Sequence, residues 1–93
     1  MPKEVIKKDG TREFFNAVKI RNSIAGAVQR TDLSEERKNE VIEKVVATVI
    51  ESVKEQEEIS TSEIREKILN ELDVVEPAVS NAWRKYDQEK RKG

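Results

Sequence analysis

The chain has 93 residues, 40% of them charged and 35% apolar, with no cysteine and no histidine. This length fits one domain with a modest core, and the composition excludes disulfides, thiolate chemistry and imidazole metal ligands. Because apolar residues are few, the core must come from amphipathic stripes, which favours a small helical bundle.

No apolar run of about 18 residues occurs, and no signal-peptide core is present at the N-terminus. The sequence therefore predicts a soluble, cytoplasmic domain that does not bind membranes.

The charge is unevenly distributed, although the net charge is only −1. Residues 1–30 carry seven Lys or Arg against three Asp or Glu, residues 31–76 carry six against fourteen, and residues 77–93 carry five against two. If the two basic ends meet in the fold, they form one positive region suited to an anion. The acidic middle argues against a chain that wraps nucleic acid over its whole surface, so nucleic acid is not an expected partner.

A β-hairpin is predicted over residues 3–15. Asp9 and Gly10 lie between two apolar pairs, and an Asp-Gly pair supplies the two positive φ angles of a type I′ turn. A two-residue loop places Lys7 opposite Arg12, and like charges across strands destabilise a hairpin unless solvent screens them or an anion lies between them. This pairing is the first indication of a ligand, and a change of register by one residue would remove it.

The first helix is predicted to begin directly after the hairpin. Asn16 precedes a helical apolar pattern and is a candidate N-cap, with Phe15 and Ile20 as a hydrophobic staple. This junction brings four cations close to a helix N-terminus, whose free N–H groups favour anions. The four cations are Lys7, Lys8, Arg12 and Lys19. The alternative for them is a solvated surface.

The second helix is predicted to begin at Ser34 or Asp32, with acidic residues in its first turn. Its apolar residues recur in pairs every four positions, which indicates a helix despite their β-branched side chains. These residues are Val41, Ile42, Val45, Val46, Val49, Ile50 and Val53.

Two further helices are predicted. Ser60 and Glu63 fit a capping box at the start of the third, and Ile59 and Ile64 fit the accompanying staple. Pro77 fits the first turn of the fourth, whose apolar stripe is interpreted as core and includes Trp83.

A second anion contact is predicted on the first turn of the third helix. Thr61 and Arg65 are four residues apart, so both project from the same side of the helix. A hydroxyl and a guanidinium at a helix N-terminus suit a phosphate, and the alternative is an ordinary first turn.

Three segments together resemble the ATP-cone domain. VIKKDGTREFFNAVKIRNSI is similar to the family's opening, Val-x-Lys-Arg-Asp-Gly, a Glu three residues after the Gly, and an Asn or Asp that caps a helix beginning with Lys-Ile or Lys-Leu. ISTSEIREKIL resembles the family's Thr-Ser-Asp/Glu-Ile segment, and AWRKY resembles its C-terminal Val-Tyr-Arg-x-Phe. The similarity covers about residues 3–88.

The sequence departs from the family pattern in three places. Lys8 replaces the usual Arg, which trades a bidentate fork for a point charge. Arg65 stands where some members have His. Residues 78–79 replace an Arg-Tyr/Phe pair, which puts a phosphate contact from the last helix in doubt unless Arg84 or Lys85 substitutes.

The resemblance implies a mainly α fold, a four-helix bundle capped by a small β-hairpin or β-sheet, with ATP or dATP held between cap and helices. Lysines would lie near phosphates, and Glu13 would accept a hydrogen bond on the adenine side; a surface salt bridge is the alternative for Glu13. Mg²⁺ is an optional companion of the triphosphate, and no catalytic or metal residue is assigned. The implied nucleotide-binding residues are Val5, Lys7, Lys8, Glu13, Asn16, Lys19, Thr61 and Arg65.

The sequence is therefore interpreted as one non-enzymatic regulatory domain over residues 1–93, with a cap (3–15), a bundle (16–88) and a frayed tail (89–93). No Walker-type loop is present, so binding without hydrolysis is expected. The resemblance implies allosteric regulation of a ribonucleotide reductase catalytic domain or a regulator, in cis or in trans, with a change of domain contacts or homo-oligomer state as output. Two alternatives stay open, a helical module associated with nucleic acid and a helical protein-interaction module that binds no nucleotide.

Overall fold

The computed structural model describes residues 2–92, which form four helices and a small three-stranded sheet. In chain order the elements are β1 (Glu4–Ile6), β2 (Arg12–Phe14), α1 (Ala17–Val28), α2 (Glu35–Val53), β3 (Glu58–Ser60), α3 (Thr61–Val75) and α4 (Pro77–Lys92). The predicted fold class, mainly α with a small β cap, is confirmed. Within the described residues, no helix combines the length and the apolar character needed to cross a membrane.

The last helix is longer than the sequence predicted. α4 continues to Lys92, past residue 88, where the bundle was expected to end. Gly93, the last residue of the predicted tail, lies outside the described part of the chain.

Three helices begin at predicted caps. The side-chain oxygens of Asn16, Ser34 and Ser60 each accept a hydrogen bond from a backbone amide two or three residues further on, at 2.9–3.1 Å. The Glu63 carboxylate does not return the bond of a capping box, because it accepts one from Nε2 of Gln56 at 3.0 Å instead. The cap residues therefore predicted these helix starts from local sequence, although Glu63 bonds to Gln56 and not to the cap residue.

Ser60→Ala is expected to lower the free energy of unfolding by about 1 kcal/mol, because the amide of Glu63 loses its hydrogen-bond acceptor. Urea denaturation followed by circular dichroism measures this change. Ser62→Ala, an exposed serine on the same turn, is the matched control and should change stability by less than about 0.5 kcal/mol. Equal losses from the two variants would contradict the role given to the cap.

The main core lies where the four helices meet. Residues of α2's predicted stripe are buried there, which confirms the helical interpretation of that β-branched segment. The core residues are Ile20, Ile24, Ala27, Val28, Val41, Ile42, Val45, Val49, Ile68, Leu72 and Val79.

A smaller apolar cluster fastens the sheet to the bundle. Val5 from β1, Val53 from the end of α2 and Ile59 from β3 are buried together. Phe15 and Ile64 pack against both this cluster and the main core. The sheet is therefore joined to the helices by continuous apolar packing. Ile59 and Ile64, which were predicted to form a hydrophobic staple, both belong to this packing.

The sheet has the order β2-β1-β3, with β1 and β2 antiparallel and β1 and β3 parallel. The strand β3 was not predicted, since its three residues were interpreted only as the start of α3. Its partner β1 lies more than fifty residues earlier in the chain, with Val5 opposite Ile59, and such pairing leaves no local signal in so short a segment.

The hairpin register differs by one residue from the predicted register. Val5 pairs with Glu13 and Ile6 pairs with Arg12, so the predicted pairing of Lys7 with Arg12 is wrong. Side chains alternate between the two faces of a strand. A register shift of one residue therefore exchanges the side chains of β2 that share a face with a given residue of β1.

The reason for the shift is the length of the loop. Gly10 donates from its backbone N–H to Lys7 O at 2.9 Å, and Lys7 donates to Thr11 O at 2.9 Å, which leaves a three-residue loop. Gly10 has φ +88° and Asp9 does not have a positive φ, so this is not a type I′ turn. The Asp9 carboxylate accepts from the Thr11 amide and hydroxyl at 3.0 and 2.6 Å, which lowers the pKa of Asp9 and holds the loop.

Arg12 is consequently removed from the predicted cation group. Its guanidinium lies 3.1 Å from Glu58 Oε1 and 3.8 Å from Glu4 Oε1, on the sheet face opposite Val5. Lys7 instead contacts Glu13. The proposed repulsion between Lys7 and Arg12 therefore does not exist in this fold and cannot favour a ligand.

Candidate functional site

A cleft of about 220 Å³ lies where the hairpin meets α1, α3 and α4. Its apolar wall consists of Val5, Phe14, Phe15, Ile20, Ile64, Ile68 and Trp83. Its polar groups are Glu13, Asn16, Lys19, Ser23, Thr61 and Arg65. An apolar slot with a few polar groups around it is the general form of a small-molecule site.

Most of the predicted site residues come together at this cleft. Six of the eight line it, namely Val5, Glu13, Asn16, Lys19, Thr61 and Arg65. Lys8 lies beside the cleft, in a depression that it shares with Thr61 and Arg65. Lys7 does not line the cleft but contacts one of its residues, Glu13. The fold thus brings together residues from the hairpin, α1 and α3.

Glu13 lies between two lysines. Its Oε2 atom is 3.3 Å from Nζ of Lys7 and 3.3 Å from Nζ of Lys19. The hydrogen bond from Lys19, followed by the one from Lys7, lowers the pKa of Glu13, so the carboxylate is ionised at neutral pH. Two cations and one anion leave a net positive charge of one, which attracts anions more weakly than two free lysines would.

Asn16 takes part in both the fold and the cleft. Its side-chain oxygen caps α1 by accepting from the Val18 amide at 2.9 Å, and the residue also lines the cleft. Lys19 lies on the first turn of the same helix. The N-terminal end of α1, where backbone N–H groups favour anions, therefore opens onto the cleft.

Arg65 connects the cleft with two neighbouring depressions. It forms an ion pair and a hydrogen bond with Asp87 on α4. One of these depressions is lined by Lys8, Arg65, Asp87 and Lys90. Lys8 comes from the basic N-terminal part of the chain and Lys90 from its basic C-terminal part, so the two ends do meet beside the cleft.

Neither suggested substitute on the last helix lines the cleft. Arg84 forms two hydrogen bonds with the Asp73 carboxylate, at 2.8 and 2.9 Å. These bonds, with a smaller contribution from Ser80, lower the pKa of Asp73 far below its ordinary value. Lys85 lines a different depression. Both side chains are therefore directed to other parts of the surface.

Trp83 has a role that the sequence did not predict. It was interpreted as a core residue, yet it is only half-buried and lines both the cleft and a groove between α1 and α4. An apolar stripe identifies the inward face of a helix but not whether a neighbouring element covers each residue on that face. The sequence therefore offered no signal that would separate a wall residue from a core residue here.

These features define a class of protein. The chain is a small helical domain capped by a sheet, with an apolar cleft edged by cations between bundle and sheet, which is the form of a small-molecule-binding domain. The family model described as the ATP cone domain matches residues 3–92, and the chain belongs to this family. ATP-cone domains bind adenine nucleotides in regulatory roles.

Several curated relatives carry the name transcriptional repressor NrdR. The chain is 38% identical over 68 residues to that of Caldicellulosiruptor bescii, an alignment that covers 73% of this chain and 43% of the relative. It is 37% identical over 71 residues to that of Lactobacillus delbrueckii subsp. bulgaricus, covering 76% of this chain and 44% of the relative. The chain thus spans less than half the length of these relatives. Because these relatives are named transcriptional repressors, the comparisons do not support the expectation that nucleic acid is an unlikely partner.

Proposed function

We propose that this chain is a regulatory domain that binds ATP or dATP and acts as an allosteric sensor for an attached or associated ribonucleotide reductase or repressor. The observation that carries the proposal is the convergence at one apolar cleft of polar residues from the hairpin, α1 and α3. Membership of the ATP-cone family supports the same ligand class.

The cleft is suited to the base of the nucleotide. Phe15, Ile20, Ile64 and Trp83 supply apolar surface for a planar ring, and Glu13 would accept a hydrogen bond from the adenine amino group. A cleft of about 220 Å³ is smaller than the roughly 300–1,000 Å³ of typical ligand sites. The triphosphate would therefore extend outside it.

Cations surround the cleft and would be the contacts of the phosphates. Lys19 and Lys7 are at one edge of the cleft, around Glu13. Lys8 and Arg65 line the adjoining depression. A hydrogen bond to a charged partner contributes about 1.5–3 kcal/mol, so these side chains would supply much of the affinity for a triphosphate.

The proposed function is binding without catalysis, in keeping with the regulatory role of ATP-cone domains. Among residues 2–92, no group of three or more acidic side chains is placed to hold a metal ion. Mg²⁺ would therefore arrive with the triphosphate, which is its usual mode of binding beside phosphates.

The regulatory output would lie in a longer assembly. A sensor acts by binding one of two states more tightly, and the change is read as a new domain contact or oligomeric state. The reductase or repressor partner, joined in cis or bound in trans, and any homo-oligomer are parts of this proposal. Nucleic acid would be contacted through such a partner or an attached domain.

Isothermal titration of the chain with ATP, dATP and GTP tests the proposal. We expect ATP or dATP to bind at submillimolar concentration and GTP to bind at least about tenfold more weakly, because the guanine carbonyl would face the Glu13 carboxylate instead of an amino group. Glu13→Gln should reduce the preference for adenine over guanine.

Two results would contradict this function. One is the absence of adenine-nucleotide binding at millimolar concentration, which is the outcome expected of a plain helical interaction module. The other is equal affinity for ATP and GTP together with salt-sensitive binding of a DNA duplex, the outcome expected of a nucleic-acid module.

A further inference from the structure

The pairing of Arg65 with Asp87 places a carboxylate of this chain where a ligand phosphate is expected. Arg65 lies near the start of α3 and Asp87 lies in the C-terminal half of α4, and their side chains form an ion pair and a hydrogen bond. The side chain of Asp87 is only 27% exposed. The carboxylate is therefore partly held inside the surface that surrounds the cleft.

We propose that Asp87 competes with the phosphates of the ligand for the guanidinium of Arg65. This inference rests on the proposed function, because it concerns the affinity of the same site. Binding of a triphosphate would exchange an ion pair between α3 and α4 for an ion pair between α3 and the ligand. Asp87 would thus be a residue that sets the affinity of the site by opposing the ligand.

The chemistry of the two groups supports competition. A guanidinium offers its N–H donors in a planar fork, and one carboxylate or one phosphate can occupy an edge of that fork. An edge bonded to Asp87 is not available to a phosphate. If the phosphate used another edge, it would still lie near a carboxylate of the same sign of charge, which weakens binding.

The charged groups that line the depressions around Asp87 are mostly cations. The depression beside it is lined by Lys8, Arg65 and Lys90 as well as Asp87 itself. Three cations and one anion give this surface a net charge of +2, and loss of the anion would raise it to +3. The neutral variant should therefore attract a polyphosphate more strongly both by freeing Arg65 and by removing repulsion.

A second ion pair supplies a matched control. Arg84 on α4 and Asp73 on α3 also join these two helices, through two hydrogen bonds. Neither residue lines the cleft or the depression around Arg65. Neutralising Asp73 changes the net charge of the chain by the same amount as neutralising Asp87. Each change also removes an ion pair between α3 and α4. Only neutralisation of Asp87 leaves Arg65 without its carboxylate partner.

The experiment compares Asp87→Asn and Asp73→Asn by isothermal titration with ATP and with inorganic tripolyphosphate at fixed ionic strength. Asp87→Asn is expected to bind both ligands about fivefold more tightly than the wild type, whereas Asp73→Asn should bind both with unchanged affinity. Circular dichroism melting verifies that both variants are folded. Unchanged or weaker binding by folded Asp87→Asn, or an equal gain in Asp73→Asn, would overturn the inference.

A double-mutant cycle with Arg65→Gln tests whether Asp87 acts through Arg65. The gain from Asp87→Asn should largely disappear in the Arg65→Gln background, because the competed group is gone. A gain of the same size in both backgrounds would overturn the competition and leave only a general charge effect.

The two ligands separate this inference from the proposed function. Tighter tripolyphosphate binding by Asp87→Asn, with no preference for ATP over GTP in any variant, would support the competition and overturn the adenine sensor. Adenine-selective binding that Asp87→Asn leaves unchanged would support the adenine sensor and overturn the competition. A wild-type chain that binds neither ATP nor tripolyphosphate at millimolar concentration would overturn both.

Discussion

Replacing Lys7 and Lys19 together by glutamine is expected to weaken ATP binding by about 100-fold. Each lysine would lose a charge-assisted phosphate contact, and two contacts at the lower end of the usual range, about 1.5 kcal/mol each, correspond to this factor. The loss has a second cause, because Glu13 is bonded to both lysines and would remain in the cleft as an uncompensated anion, which weakens the attraction of the site for a polyanion. Isothermal titration of the wild type and the double variant measures the effect.

The matched control replaces Lys44 and Lys54 by glutamine. Lys44 lies on α2 and Lys54 is the C-cap residue of that helix. Neither residue lines the cleft, and the change in net charge is the same. We expect this variant to bind ATP within about twofold of the wild type, since exposed charges at a distance are screened by salt. Similar losses in the two double variants would show that affinity follows overall charge, and an unaffected Lys7/Lys19 variant would show that the cleft is not the site.

Leu72→Ala is expected to lower the free energy of unfolding by about 2–5 kcal/mol. Leu72 on α3 has no exposed surface and packs in the main core with residues of the other three helices. The substitution removes apolar contacts and leaves a cavity at this junction. Because small domains are stable by only about 5–15 kcal/mol, the variant should be largely destabilised, and urea denaturation followed by circular dichroism measures the change.

Val74→Ala tests whether burial is the cause of that loss. Val74 lies on the same helix and is 81% exposed, so its truncation should change stability by less than about 0.5 kcal/mol. A comparable destabilisation by Val74→Ala would contradict core packing as the cause of the Leu72→Ala loss, because alanine has a higher helix propensity than valine and would not destabilise the helix by that route.

Most of the helical architecture followed from local sequence. The caps at Asn16 and Ser60 marked two helix starts correctly, and Ser34, one of two candidates with Asp32, caps a third. The stripe on α2 identified a helix because its spacing outweighed the strand preference of its valines. Signals of this kind depend on residues within one or two turns of each other, which is why they can be found without knowledge of the fold.

The hairpin shows where local reasoning was insufficient. Asp9 and Gly10 correctly marked a turn, but an Asp-Gly pair fits both a two-residue loop and a three-residue loop in which Gly alone has a positive φ. The choice depends on which residues face the bundle. Phe15 packs against the cluster of Val5, Val53 and Ile59. Because residues two apart share a face of an extended chain, Glu13 rather than Phe14 shares the face of Val5 and lies opposite it.

Only part of the candidate site was predicted, because local signals do not show which side chains meet across different elements. Glu13, Asn16, Lys19, Thr61 and Arg65 were identified by spacing and by family resemblance, and they line one cleft. The position of Trp83 in the cleft wall and the pairing of Asp87 with Arg65 were not predicted, because they depend on what lies across from these residues on other helices.

By itself, the sequence determined which kinds of reactive and charged side chains this protein has and where its helices begin. It also showed resemblance to a family whose members bind adenine nucleotides. The tertiary structure decided how those groups are paired. It moved Arg12 to the face of the sheet that carries Glu4 and Glu58, set Glu13 between Lys7 and Lys19, and bonded Arg65 to Asp87. Side-chain types and helical periods are local properties, whereas strand register and contacts between helices depend on burial of apolar surface from distant parts of the chain.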